Sequence, residues 1–382
     1  MYSLEAYGSM LADRVRTGAY ERALRQTLKP GMVVMEIGTG PGAVAVLACK
    51  LGASRVYAVE SSPVIQVARE IAAANRCADK ITFFEDLSEK IRIPSKADVI
   101  IADLHGALPL FERHVPTIAD ARKRFLAPGG TLIGREDRIW VAIVEAPQQY
   151  AKIVEPWERN MFGLDMGPAR RLSLNAIHNM RPVPEQLLTN PRLWATLDYA
   201  TIENPDVQGE LNWTVSRDGT GHGIALWFDA DLAEGVSFST APGSTPTVFG
   251  TMFLPWLDPV PLEAGQTVRV DLQAKLLERD YFWRWTTRIG LPGRPAEVAT
   301  QFDQSELQGA MLSPEKLRKS NSNFIPQLSE EGLLRRRTLD LMDGRASLEE
   351  IARRLTIEFP GRFARWQQAL TYAGAISTEN SR

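Results

Sequence analysis

The segment Glu36-Ile-Gly38-Thr-Gly40-Pro-Gly42 constrains this chain more than any other. It follows directly on the apolar run Val33–Ile37 and leads directly into the helix-like stretch 43–51. Glycine has no Cβ, so a glycine cluster lets the backbone turn tightly and approach a ligand closely. The spacing is GxGxG, not the GxGxxG of dinucleotide sites. A strand–helix turn without a ligand is the simpler alternative.

The surrounding pattern narrows the choice. Helix-like segments 14–28, 43–51 and the stretch opened by Ser62-Pro63 alternate with short apolar runs at 55–59, 81–84 and 98–102. After Pro63, positions Val64, Val67, Ala68, Ile71 and Ala72 define one buried helical face, with Ser62 as the expected N-cap. Strands alternating with helices imply a doubly wound parallel sheet. In that architecture ligands bind at the carboxyl ends of the strands. Glu60 stands at one such end, where a carboxylate can accept both hydroxyls of a ribose, and Glu89 follows the next strand, where an adenine edge would lie.

Near residue 135 the pattern changes to short β-like runs broken by Gly, Pro, Asn and Asp, such as 224–228 and 267–272. Residues 160–197 read as a polar, partly helical insertion carrying the apolar cluster Met161, Phe162, Leu164 and Met166. Pro292-Gly-Arg-Pro295 marks an expected domain end, and 296–323 reads as a linker. Three helical stretches follow, one opened by the capping box Ser347-Leu-Glu-Glu350. The expected domains are 1–134, 135–295 and 324–382.

Composition excludes several classes. Lys+Arg number 44 against 46 Asp+Glu, so no basic nucleic-acid binder is indicated. No apolar stretch is long enough for a membrane span. The first residues show neither a basic n-region nor an apolar core, so no signal peptide is expected. Two cysteines, Cys49 and Cys77, make no disulfide framework and fit a reducing, cytoplasmic setting. His114 and His178 show no metal-ligand spacing, and no metal is expected. His222 reads as a barrel-turn residue, Arg335-Arg-Arg337 as a solvated face, and Trp213, Trp227, Trp256, Trp283 and Trp285 as core.

Glu36 to Gly42 together with Val56-Tyr-Ala-Val-Glu60 resembles the S-adenosylmethionine site of class I methyltransferases. The resemblance narrows to the protein arginine methyltransferase family, in a bacterial form. Met10-Leu-Ala-Asp-Arg-Val-Arg16-Thr is similar to that family's N-terminal helix, Ser88-Glu89 to its adenine-contacting pair, and 157–166 to the start of its dimerisation arm. Trp227-Phe-Asp229 and 257–262 resemble its β-barrel. The likeness covers about residues 7–290. It implies a Rossmann-like α/β domain, a β-barrel-like domain with a helical dimerisation arm, and S-adenosyl-L-methionine as cofactor. It places Arg16 on the cofactor carboxylate and assigns Glu36, Gly38, Gly40, Gly42, Glu60, Ser88 and Glu89 to cofactor binding. It further implies a homodimer.

The same likeness implies an acceptor loop, Ile101-Ala-Asp103-Leu-His105 to Phe111-Glu112. Guanidinium is protonated and delocalised, and two carboxylates can grip its planar fork and align one nitrogen with the sulfonium methyl. Glu112 matches one of the family's two glutamates. Asp103 replaces the other and is one methylene shorter, and His105 stands where the family has a methionine. These three are the expected catalytic residues, with His105 otherwise a solvated or backbone-bonded loop residue. The family's Thr-His-Trp loop falls on Thr247-Val248-Phe249, so its histidine contact to the N-terminal helix is missing. Tyr2 and Tyr7 only hint at its lid helix.

Residues 324–378 resemble the helical part of the peptide chaperone of pyrroloquinoline-quinone biosynthesis, a winged-helix fold that binds leader peptides. The alternative there is a packing or dimerisation module. The expected function is methylation of an arginine or guanidino group of a peptide or protein. The alternatives are methylation of a small molecule, such as free arginine, and a cofactor-binding protein with a degenerate acceptor site.

Overall fold

The structure, a computed structural model, describes residues 2–160 and 162–381. It comprises two compact units, Met1–Ala310 and Met311–Arg382.

The first unit opens with helices α1 (Leu4–Ala12) and α2 (Arg14–Thr27). Then β1 (Val33–Ile37), α3 (Ala43–Lys50), β2 (Arg55–Val59), α4 (Ile65–Ala74), β3 (Ile81–Phe84), β4 (Ala97–Ala102), α5 (His114–Phe125) and β5 (Leu126–Ile133) alternate. The five strands form one parallel sheet in the order β3-β2-β1-β4-β5. Nearly every residue of β1, β2 and β4 is buried, as a sheet covered by helices on both faces requires. The doubly wound reading therefore holds. One boundary differs: α4 begins at Ile65 with Val64 as N-cap, and the Ser62 hydroxyl makes no hydrogen bond. The turn closed by Ile65 N–H on the Ser62 carbonyl takes up the residues before it.

Next come β6 (Glu136–Val144), α6 (Pro147–Glu158), α7 (Gly167–Leu174), β7 (His178–Met180), β8 (Arg192–Asp198), β9 (Val207–Thr214), β10 (Gly219–Ala233), β11 (Val236–Ser239), β12 (Thr251–Leu262), β13 (Thr267–Leu277), β14 (Asp280–Leu291), β15 (Arg294–Ser305) and α8 (Glu306–Gly309). They build two antiparallel sheets, β7-β12-β10-β6-β8 with β11 on β10, and β15-β14-β13-β9. Their inner faces meet through the aromatic pairs Trp194–Trp283 and Trp256–Phe302. All five tryptophans expected in the core are buried.

Two expectations change here. Residues 296–305 are not linker: they belong to β15, which pairs with β14, and Phe302 is buried. Their polar edge-strand composition carries little apolar periodicity, and Pro-Gly at 292–293 makes a hairpin turn, with Gly293 at φ +70°. Likewise, 192–197 belongs to β8 of the sheet rather than to an arm. Tyr150, Ile153, Val154 and Leu174 of α6 and α7 pack on Trp227 and Phe253, which roots the insertion on the sheet. Between these helices Phe162 and Leu164 are 84% and 60% exposed. Met161 of the same cluster lies outside the described residues.

The second unit contains α9 (Pro314–Lys319), α10 (Glu330–Asp340), α11 (Leu348–Glu358) and α12 (Trp366–Asn380). Leu334, Ile351, Leu355, Phe363 and Ala369 form its core. The Ser347–Glu350 capping box is present, and Arg337 makes a two-bond pair with Glu358 on the solvated face. Among its described residues there is no strand, so the wing expected of a winged helix is not formed. Among the described residues no helix is long and apolar enough to cross a membrane.

Candidate active site

Sheet order brings the site together. β1 lies between β2 and β4, with Ile37 level with Val59 on one side and Ala102 on the other. Gly38, Glu60 and Asp103 therefore leave the sheet side by side at its carboxyl edge, the place where this architecture binds ligands.

The glycine loop is closed on both flanks. At Gly38 and Gly40, φ is +76° and +52°. A Cβ at Gly38 would lie 2.5 Å from Leu104, and one at Gly40 2.9 Å from the Tyr7 ring. α1, none of whose residues is buried, lays the Tyr7 ring against the loop at Gly40. Gly42 is the N-cap of α3. Glu60 steadies the loop: its Oε2 accepts the Gly40 N–H at 3.0 Å and its Oε1 the Ser62 N–H at 2.9 Å. Each carboxylate oxygen retains a second acceptor position, enough for two ribose hydroxyls.

Glu36 differs from expectation. It is 6% exposed and accepts the Thr39 hydroxyl at 2.5 Å. Burial pushes its pKa up to about 8, against the opposing pull of the Thr39 and Ala45 hydrogen bonds. Glu36 shapes the loop from inside. Ser88 is buried on a one-turn 3-10 helix, and Glu89 beside it pairs with Arg113 at 2.9 Å through Oε1.

Arg16 lies in the first turns of α2. Its Nη2 donates to the Met10 carbonyl at 2.9 Å, and its Nη1 pairs with Asp103 Oδ2. Its Nε is buried with no partner, a donor left for an incoming carboxylate. Asp13, unremarked at the sequence level, fixes this helix. Its Oδ1 caps α2 on the Val15 and Arg16 amides, and its Oδ2 accepts the Val248 N–H at 2.9 Å. A backbone amide thus replaces the missing barrel histidine.

The acceptor loop is arranged differently from expectation. Asp103 does not face Glu112 as a matched arm, because both its oxygens are engaged: Oδ2 by Arg16 and Oδ1 by His105 Nδ1 at 2.9 Å. Burial would raise its pKa, but the His105 bond and the Arg16 charge together bring it down to about 2. His105 is not at the acceptor either. Its side chain is 3% exposed, its Nε2 lies 2.8 Å from Asp137 Oδ2, and its ring stacks on Phe228. Burial opposes its charge, yet Asp137 and Asp103 overcome that and raise its pKa to about 10. Tyr199 donates to the same Asp137 oxygen at 2.6 Å. Two cations, Arg16 and His105, thus alternate with two anions, Asp103 and Asp137.

His114 packs edge-on to His105, with both nitrogens unpartnered, and burial lowers its pKa to about 4. His105, His114 and Asp137 bring donor atoms within 4.8 Å of one another, a grouping that linear spacing could not show. Glu112 is exposed at φ +42° and makes no hydrogen bond or ion pair among the described residues. Burial, and after it the charges of Glu112 and Asp103, raise the pKa of the Tyr2 hydroxyl. Gly106 lets the Phe111 ring pack against the loop backbone, and Leu108 and Leu110 anchor the loop in the core. His222, as expected, bonds within the barrel, to the Thr220 carbonyl. Cys49 and Cys77 are buried and free.

Residues 136–281 match the arginine methyltransferase oligomerization subdomain, and residues 19–134 match the ribosomal protein L11 methyltransferase family. The chain is 31% identical to a probable histone-arginine methyltransferase CARM1 of Oryza sativa over 278 residues, 68% of this chain and 52% of that protein. It is 30% identical to probable protein arginine N-methyltransferase 6 of Arabidopsis thaliana over 247 residues, 62% of this chain and 56% of that protein. The chain thus spans about half the length of these relatives. The Trypanosoma brucei PRMT1 enzyme–prozyme complex with AdoHcy shares its fold, with a TM-score of 0.71 at 24% identity over 78% of this chain and 96% of that one. Arabidopsis thaliana protein arginine methyltransferase 10 does so with a TM-score of 0.68 at 24% identity, over 78% and 97%.

Proposed function

We propose that this protein arginine methyltransferase-like chain is an S-adenosylmethionine-dependent N-methyltransferase that acts on an arginine or guanidino group of a peptide or protein. The observation that carries this reading is the convergence of the glycine loop, Glu60 and the Asp103–Glu112 loop at one sheet edge. The residues fit the cofactor. Glu60 retains acceptor capacity for ribose, the buried Arg16 Nε is an unpaired donor for a carboxylate, and Ser88 with Glu89 lie beyond β3 toward the adenine position.

When bound, S-adenosylmethionine supplies an activated methyl group on a sulfonium. The chain aligns and shields. The Tyr7 ring closes the glycine loop on the Gly40 side. Glu112 accepts an N–H of the acceptor and holds its nitrogen toward the cofactor. Its charge favours the shift of positive charge onto the acceptor as the methyl moves. Alignment of this kind can contribute about 7–11 kcal/mol. The test is calorimetry with S-adenosylhomocysteine followed by methylation of an arginine peptide. Binding with transfer supports the reading. Binding without transfer to any arginine peptide, but with transfer to free arginine, favours the small-molecule alternative.

The reading extends to a homodimer through the exposed tip at Phe162 and Leu164, since clustered exposed apolar groups mark interfaces. It also extends to a cytoplasmic setting, supported by the free cysteines. A bacterial setting and a leader-peptide role for residues 324–378 rest on the sequence resemblance alone.

A further inference from the structure

We propose that Asp137 and His105 set the specificity of the acceptor site: they occupy the face of Asp103 that would otherwise grip the acceptor and leave Glu112 as its single carboxylate arm. This inference rests on the methyl-transfer reading above.

Geometry carries it. A carboxylate can only accept hydrogen bonds, so an imidazole bridging two ionised carboxylates must carry a proton on both nitrogens. His105 makes that bridge, 2.9 Å to Asp103 and 2.8 Å to Asp137. Its ring is fixed by stacking on Phe228 and by edge contacts with Phe249 and His114. Asp137 is fixed in turn by the Tyr199 hydroxyl. Burial and then the Asp103 charge raise the pKa of Tyr20, and Asp103 adds to the larger effect of burial in raising that of Glu36, while Arg16 takes the other Asp103 oxygen. Asp103 is thus engaged on both oxygens, whereas Glu112 has no partner among the described residues. The acceptor this favours is a cationic nitrogen group held along one edge, such as a guanidinium on one carboxylate. His105 and Asp137 do not touch it and are positioning residues.

The test removes the bridge without stranding a charge. His105→Met combined with Asp137→Asn takes away the imidazolium and its counter-charge together, and the new amide can still accept from Tyr199. Asp103 then regains a free oxygen. The KM for an arginine peptide should fall about 10-fold or more, the worth of one charge-assisted hydrogen bond, with S-adenosylhomocysteine affinity unchanged. An unchanged or raised KM overturns the inference, as does lost cofactor affinity, which would tie the bridge to the cofactor side. If wild-type protein binds no S-adenosylhomocysteine, the methyl-transfer reading itself fails. Should the double variant not fold, nitrogen-15 NMR of the wild-type chain decides. His105 should show both ring nitrogens protonated at neutral pH, and a neutral ring overturns the bridge.

Discussion

Asp13 and Val248 join the N-terminal helices to the barrel through one hydrogen bond, Val248 N–H to Asp13 Oδ2 at 2.9 Å. The other oxygen of Asp13 caps α2 two and three residues ahead, at Val15 and Arg16. One carboxylate therefore sets both where α2 begins and how Arg16 meets the cofactor site. Asp13→Ala should cost about 1 kcal/mol of stability through the lost cap. It should also weaken S-adenosylhomocysteine binding. Urea unfolding and calorimetry measure the two effects separately, and a loss of stability with affinity intact would detach Asp13 from the cofactor.

Glu60→Ala removes the proposed ribose acceptor and the brace on Gly40. Charge-assisted bonds of about 1.5–3 kcal/mol correspond to about 10- to 150-fold in affinity. Calorimetry with S-adenosylhomocysteine should show a loss in that range. An unaltered dissociation constant would move the ribose elsewhere.

The two buried histidines give stability opposite dependences on pH. His105 has its pKa raised from 6.5 to about 10, so its contribution is complete below pH 6.5 and is lost as pH rises toward 10. His114 has its pKa lowered from 6.5 to about 4, so below 6.5 the unfolded chain takes up a proton that the native chain refuses. Glu36, whose pKa is raised from 4.5 to about 8, loses its contribution as pH rises from 4.5 to 8 and so offsets the gain from His114; stability should be nearly level from about pH 4.5 to 6.5 and fall above it. Thermal melts across this range check the shape. His114→Gln should leave the Glu36 effect unopposed, so that stability already declines with rising pH from about 4.5, and a profile unchanged below pH 6.5 in that variant would refute the assignment.

Phe162 and Leu164 form the apolar tip between α6 and α7. Replacing both with serine should convert a dimer to a monomer without unfolding the chain, because α6 and α7 keep their own core against Trp227 and Phe253. Light scattering at micromolar concentration reads the outcome. A monomeric wild-type protein would remove the basis for the interface.

Asp103→Glu would restore a pair of glutamates in the loop, but the structure leaves no room for the gain. Asp103 is held between Arg16 and His105, and an extra methylene there must displace one of them. Overpacking of this kind costs about 1–3 kcal/mol. The variant should melt lower and turn over more slowly than wild type. Higher activity on arginine peptides would show that the Arg16–Asp103–His105 chain is dispensable.

Local signals carried much of this architecture. β1, β2 and β3 fall where their apolar runs stand, because a doubly covered parallel strand needs an uninterrupted apolar stretch. Glu60 was legible because a strand end fixes its position. The Asp103–His105–Asp137–Tyr199 chain was not. Its members come from the loop after β4, from β6 and from the turn after β8, and only tertiary packing brings them together. Asp13 carried a readable cap signal immediately before α2, but nothing local links it to Val248. β15 went unseen because an edge strand with polar residues lacks the alternation that marks a half-buried one.

Methyl transfer to a guanidino group is tested most directly by tandem mass spectrometry of an arginine peptide incubated with S-adenosylmethionine and either wild-type chain or Glu112→Gln. Wild type should add methyl mass on the arginine side chain, and the variant should lose most of that turnover in kcat, since Glu112 acts on charge that develops during transfer. Methylation by the variant at the wild-type rate, or a methyl group found on any residue but arginine, would contradict the assignment of Glu112 and of the guanidino acceptor.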